Sequence, residues 1–264
     1  MRHNFQDNEI FISTGGRDFQ QDGPVLLFIH GSGQSHLSFM QQGRYFANRG
    51  WRVINPDMPA HGLSSGKALD KIADMAHWYA GLLASLNISK VAIIGHSQGC
   101  LVALELGRLY PELVEKICFI AGALAIPVND ALLSMAATNQ SAAYQAMVNW
   151  AHGSDSHLYH HSWPGHTHID LSVTIMASNH EGALLADLSA CNNYQDGKDA
   201  AQAINCPTIA ILAEKDRMTP LKFGLKIGEN ITDCQTETVH DAGHFLPSER
   251  PFEVNKYLRA FLTK

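Results

Sequence analysis

The 264-residue sequence predicts an α/β fold: a mostly parallel central sheet with helices on both faces and a helical cap insertion. Three observations predict it. Apolar runs of strand length alternate with helix-length periodic segments through the first half of the chain. These runs are continuous rather than alternating, as a strand requires when both faces of its sheet are covered. The alternation then stops between about 124 and 205 and resumes afterwards. The reading is therefore a core formed by 1–123 and 206–264 with a helical cap at 124–205.

Val25-Leu26-Leu27-Phe28-Ile29 is the first long strand, and it ends at His30-Gly31-Ser32-Gly33. A helix over Phe39–Arg49, closed by Gly50, leads to a strand at Arg52-Val53-Ile54-Asn55. The turn-rich stretch Pro56–Gly62 follows, then a helix over Asp70–Leu86 and a strand from Val91. A helix over Cys100–Leu109 and a strand over Lys116–Ala121 complete the first half. After the cap come a strand in Pro207–Ala213, a strand over Gln235–Val239 and a final helix over Pro251–Leu262.

The Val91 strand runs into Gly95-His96-Ser97-Gln98-Gly99. A serine at the tip of a sharp strand-to-helix turn needs small residues two positions to either side, because the neighbouring chain passes close by. A hydroxyl there is a poor nucleophile until a base takes its proton and a carboxylate orients that base. Candidates occur at later strand ends, where the catalytic groups of open parallel sheets gather. Glu214 and Asp216 follow the Pro207–Ala213 strand, and His240, Asp241 and His244 follow Gln235–Val239. Asp130, after the Lys116–Ala121 strand, is a further candidate acid.

Composition excludes several classes. Nineteen basic against 25 acidic side chains leave a formal charge of −6 with no Lys/Arg cluster to track a phosphate backbone, so nucleic acid is not an expected partner. The N-terminus lacks the apolar core of a signal peptide. The longest apolar stretch, Ile117–Val128, is broken by Gly122 and Pro127, so no membrane span is expected. Five widely spaced cysteines without a C-x-x-C pair suggest buried thiols in a reducing compartment, read as the cytoplasm.

Taken together, these pieces resemble the α/β-hydrolase superfamily. The resemblance rests on His30-Gly31-Ser32-Gly33 after a strand, Asp57-Met58-Pro59-Ala60-His61-Gly62-Leu63-Ser64, the Ser97 elbow, Asp216 before Pro220, and Ala242-Gly243-His244. Ala60 departs from it, since the family usually carries glycine in that turn. The resemblance implies a carboxylesterase-like serine hydrolase. Ser97 would attack a carbonyl, His244 would act as base and then acid, and Asp216 would orient the imidazole. The backbone N–H groups of Ser32 and Gln98 would receive the oxyanion. Gly31, His96, Trp150 and Trp163 are the expected substrate-binding residues. The expected partner is a small to medium, largely uncharged ester, and no cofactor is needed. The same triad also serves carbon–carbon bond hydrolases, acyltransferases, amide or thioester hydrolases and slow-turnover small-molecule receptors. The sequence leaves open whether the protein is a monomer or a homodimer.

Asp216 and His244 are favoured over their rivals by motif context. Glu214 reads as still in the strand end, Asp241 as too close to His244 along the chain, and His240 as a surface residue. His30 and His61 read as turn residues bonded to local backbone. The cap histidines His152, His157, His160, His161, His166 and His168 are irregularly spaced and lack a completing Cys or acidic cluster, so no metal site is expected. Trp150, Trp163, Met135, Met147 and Met176 are expected to divide between cap core and pocket wall.

Overall fold

The computed structural model describes residues 1–19, 22–157, 165 and 167–264. β1 (Arg2–Phe5), β2 (Asn8–Ser13), β3 (Val25–Ile29), β4 (Arg52–Pro56), β5 (Val91–His96), β6 (Val114–Ile120), β7 (Thr208–Ala213) and β8 (Cys234–Val239) form one sheet. Its order is β1-β2-β4-β3-β5-β6-β7-β8. From β4 onward the neighbours are parallel; β1 with β2 and β2 with β4 are antiparallel.

β3 is apolar throughout, and β5 and β7 nearly so, because successive residues feed two different cores, whereas β8 at the sheet edge is polar over Gln235–Thr238. Leu27, Ile29, Ile93, Ile117 and Phe119 join the core beneath α2 (Ile72–Ser85) and α3 (Gln98–Leu109). Leu26, Phe28, Ile94, Cys118 and Ile120 join the opposite core with α1 (Met40–Ala47) and the last helix, α11 (Pro251–Leu262). A short 3-10 turn, His36–Phe39, occupies the start of the segment expected to be one helix over Phe39–Arg49.

The β1–β2 hairpin has no counterpart among the predicted elements. β1 and the start of β2 are largely exposed, so no apolar run marks them. The hairpin turns on Gln6 (φ 51°) and Asp7 (φ 59°), which hold left-handed angles without the glycine that usually signals such a turn. Ile10 and Ile12 carry the hairpin into the core, and Phe5 packs against it beside Trp78.

After β6 the chain leaves the sheet for α4 (Asp130–Thr138), α5 (Gln140–Ala151), α6 (His168–Ala177) and α7 (Ala183–Asn193). The side chains of Asn129, Asn139 and Thr167 accept backbone N–H groups at the starts of α4, α5 and α6. Leu132, Tyr144, Met147, Val148, Met176, Leu184 and Leu188 form a third apolar cluster, with Phe245 of the sheet unit inserted into it. α7 also contributes Ala190 and Cys191 to the α2/α3 core, and Ala200, Ala201 and Ile204 of α8 (Gly197–Gln202) and its exit pack there entirely. In packing terms the chain rejoins the sheet unit before residue 205. α9 (Leu221–Asn230) follows β7, and α10 (Leu246–Glu249) precedes α11.

Candidate active site

Ser97 stands between β5 and α3 with φ 55° and ψ −119°, a strained backbone held by its surroundings. A Cβ on Gly95 would press on the Gly99 carbonyl, and one on Gly99 would press on the Ile29 carbonyl, so both flanking positions must be glycine. α3 begins at Gln98 rather than Cys100, so its N-terminal amides start immediately after the serine.

The ends of β7 and β8 bring two more side chains to this turn. His244 Nε2 lies 2.8 Å from Ser97 Oγ, and His244 Nδ1 lies 2.8 Å from Asp216 Oδ2. Nδ1 faces a carboxylate and so carries the proton, which leaves Nε2 to accept from the serine hydroxyl. Asp216 Oδ1 accepts the N–H groups of Met218 and Thr219, each at 2.8 Å, and Thr219 Oγ1 lies 2.8 Å from Oδ2. Ser97, Asp216 and His244 are all at least nine-tenths buried.

The rival candidates lie elsewhere. Exposed His240 pairs with Glu214 at 3.6 Å, and Glu214 also accepts the Asp241 N–H. Asp241 is exposed at a positive φ of 50°, and Asp130 is exposed in the first turn of α4.

Among the described residues, neither the Ser32 N–H nor the Gln98 N–H donates to another protein group. Both adjoin groups that are held firmly. The Gly33 N–H donates to Asp187 Oδ2 at 2.7 Å, and Gln98 Nε2 donates to the Asp187 carbonyl at 3.0 Å. His61, expected to bond only local backbone, does so through Nδ1 to the Pro59 carbonyl but also reaches Asp187 through Nε2. His30 bonds the adjacent Gly31 carbonyl but also accepts the N–H of Met58, 28 residues away, in the loop after β4. Burial, with His61 beside it, pushes His30 down to about 4.

Glu249 of α10 forms a second anchor. Its buried carboxylate accepts the N–H groups of Gly243 and Phe245, which flank His244, together with the Gly153 N–H and the Ser156 hydroxyl from the segment after α5. Burial would raise its pKa, but the His152 side chain and these donors hold it down at about 2. The His244 N–H itself donates to the Ala151 carbonyl at 2.8 Å. Neither Asp187 nor Glu249 was singled out in the sequence. A lone acid in an alanine-rich helix carries no signal of burial, and Glu249 could be found only as the acid one turn beyond the His244 loop.

Gly31, His96 and Trp150 line the cavity of about 230 Å³ that opens over Ser97. Trp163 lies outside the described residues. Ile126, Val128, Leu132, Met147 and Leu188 supply apolar wall, and no Lys, Arg, Asp or Glu side chain borders the cavity among the described residues. Met147 belongs to the third apolar cluster and to the cavity wall alike, Met176 is fully buried in that cluster, and Met135 packs against it. His152 and His168 are buried and stacked, and His152 bonds Ser172 and faces Glu249. The side chains of His157, His160, His161 and His166 lie outside the described residues. No group of three or more His, Cys, Asp or Glu side chains converges on a metal position among those described.

A mostly parallel sheet with a strained serine elbow and a histidine and an aspartate on later strand ends defines a hydrolase-type α/β protein. Residues 24–251 match the family described as the alpha/beta hydrolase fold, and the chain belongs to that family. It is 23% identical over 255 residues to an (E)-2-((N-methylformamido)methylene)succinate hydrolase of Acinetobacter baylyi, covering 92% of each chain. Among solved structures it is similar to the enol-lactonase from Burkholderia xenovorans (TM-score 0.88, 17% identity, all of both chains). It is also similar to a thermophilic esterase from Thermogutta terrifontis (TM-score 0.85, 20% identity, 100% of this chain and 97% of that one). At these identities the structural likenesses establish the fold. No helix among the described residues is long and apolar enough to cross a membrane.

Proposed function

We propose that the protein is a serine hydrolase that cleaves a carboxylic ester of a small to medium, largely uncharged substrate. The observation that carries this reading is the unbroken chain Ser97 Oγ to His244 Nε2 and His244 Nδ1 to Asp216, opening on an apolar cavity. In the proposed reaction His244 takes the proton as Ser97 attacks the carbonyl, then returns it to the leaving alcohol. The N–H groups of Ser32 and Gln98 receive the oxyanion, and water hydrolyses the acyl-enzyme by the same steps in reverse. The reaction needs no metal or other cofactor.

The wall supports a neutral substrate. A carboxylate entering a cavity that has no cation among its described lining residues would lose its hydration uncompensated, which costs several kcal/mol or more. The α4–α7 unit is read as the cap that shapes this wall, with Trp150 contributing to the substrate site. Five free cysteines, three of them buried, support a reducing compartment such as the cytoplasm.

The test is hydrolysis of p-nitrophenyl esters from acetate to long chains by the wild type beside Ser97→Ala. Sustained turnover with a chain-length optimum, reduced about 10⁴-fold or more by the substitution, is expected. A burst without turnover, or no reaction, transfers the reading to a carbon–carbon bond hydrolase, an acyltransferase or a receptor.

A further inference from the structure

Two buried polar atoms of residues that line the Ser97 cavity have no partner among the described residues. Gln34 is 2% exposed; its Oε1 accepts from the Ser38 hydroxyl at 2.9 Å, while its Nε2 has no partner. His96 is 1% exposed; its Nε2 faces the His244 carbonyl at 2.8 Å, while its Nδ1 has no partner. A nitrogen that faces a carbonyl carries the proton. Burial, with His244 alongside, pushes His96 down to about 3, so the ring is neutral and Nδ1 presents a lone pair. Gln34 therefore keeps a free amide donor and His96 a free imidazole acceptor, both just beneath the wall with almost no exposed surface of their own.

Both residues line the main cavity, and both also border a side cavity of about 20 Å³ beside Ser38, Ser172 and Phe245. Of the other polar groups nearby, Asn129 Oδ1 accepts the Leu132 N–H at the start of α4, and Ser32 Oγ faces Cys191 Sγ. Buried polar atoms are almost always satisfied, and the few that converge on a cavity orient what binds there.

We propose that Gln34 and His96 form a polar subsite that takes a neutral group able both to accept and to donate a hydrogen bond. That group is a hydroxyl, or an amide with an N–H, carried near the scissile carbonyl. The assignment rests on the ester reading and narrows it to hydroxy or amido esters. A carboxylate is disfavoured, because its oxygens would face the His96 lone pair and no cation borders the cavity among the described residues.

The test uses Ser97→Ala, so that binding is read without turnover, with matched neutral esters followed by NMR titration. Ethyl 3-hydroxybutyrate is compared with ethyl butyrate, and 2-hydroxyethyl butyrate with propyl butyrate; the two pairs put the hydroxyl on opposite sides of the ester. At least one hydroxy ester is expected to bind about tenfold more tightly than its partner. Gln34→Met, similar in size but without a donor, is expected to abolish that preference and leave the plain ester's affinity within about twofold. Hydroxy esters that bind no more tightly than their partners, or do not bind, overturn the subsite and assign the two atoms to water. A preference that survives Gln34→Met overturns it as well. Discrimination in Ser97→Ala alone decides the matter if the second substitution fails to fold. Ester turnover by the wild type is measured separately, so loss of the ester reading and loss of the subsite are distinguishable.

Discussion

Asp187 of α7 lies 2.9 Å from His61 in the loop after β4, with both side chains buried. His61 Nδ1 faces the Pro59 carbonyl at 3.0 Å, so both ring nitrogens face acceptors and both carry protons. The result is an imidazolium–carboxylate pair inside the protein. Its carboxylate also holds the Gly33 N–H, next to Ser32, and the Asp187 carbonyl holds the Gln98 side chain. Both sides of the proposed oxyanion site thus rest on one residue of a helix far away in sequence.

Asp187→Asn is expected to lower kcat by about 10- to 100-fold, less than the loss of an oxyanion donor itself, with KM changed by less than about threefold. A merely structural role would lower the amount of folded enzyme and leave kcat per active site unchanged, so titration of active sites with an acylating inhibitor separates the two. Breaking a buried pair costs about 3–5 kcal/mol, and the melting temperature should fall accordingly. Unchanged kcat in folded Asp187→Asn would remove the positioning role.

The same pair sets a pH dependence. Burial pulls the His61 pKa down, but Asp187 and the Pro59 carbonyl outweigh it, and the value stands above the ordinary 6.5. Asp57 reinforces this, while the ring of His30 packs 5.0 Å away and is itself held neutral. A raised histidine stabilises the fold fully below pH 6.5, and that contribution fades as pH rises through the folded value. Thermal stability is therefore expected to decline on the alkaline side, and His61→Asn should flatten the decline. An identical slope in the two proteins would assign it to another group.

Glu249 acts in the opposite pH range. Its pKa near 2, against an ordinary 4.5, means that its contribution is complete above about 4.5 and is lost as pH falls toward 2. The shift corresponds to about 3 kcal/mol at most. Denaturant unfolding of Glu249→Gln should show a deficit at pH 7 that shrinks steadily between pH 5 and 2. Because Glu249 also holds the amides on both sides of His244, activity should fall more than stability at neutral pH. A deficit independent of pH would show that the carboxylate charge is not the stabilising feature.

The sheet and its serine turn were legible because local chemistry dictates them. Continuous apolar strands require two covered faces, and Gly95 and Gly99 are required by neighbouring carbonyls. The β1–β2 hairpin was not, since Gln6 and Asp7 make a glycine-type turn without glycine and half of β1 faces solvent. Asp187, Glu249 and Gln34 escaped notice for a different reason. Asp187 and Glu249 act through partners as far as 154 and 96 residues away, and Gln34 through the absence of one, and relationships of that kind leave no trace in periodicity or spacing.

Trp150 is the wall residue on which the role assigned to the cap can be tested. It borders the cavity yet is 45% exposed, so truncating it opens the pocket without hollowing a core. Trp150→Ala is expected to move the ester optimum toward longer acyl chains, with kcat/KM for the shortest ester reduced about 3- to 10-fold through lost contact. The p-nitrophenyl series measures both. An unchanged optimum would separate the cap from chain-length selection.

Ala60 stands where the resemblance leads one to expect glycine, and the backbone retains the glycine conformation, with φ 67°. The left-handed region costs an L-residue about 1–2 kcal/mol, partly offset because alanine loses less chain entropy on folding than glycine. The turn tolerates this because its carbonyl accepts the His180 N–H at 3.0 Å and His61 beside it is fixed by Asp187. Ala60→Gly is therefore expected to stabilise the protein by about 0.5–1 kcal/mol and raise the melting temperature by about 2 °C. Activity should be unchanged, because no chemistry is assigned to this turn. A lower melting temperature would mean that the alanine methyl, 3% exposed, gains more from packing than its backbone loses to strain.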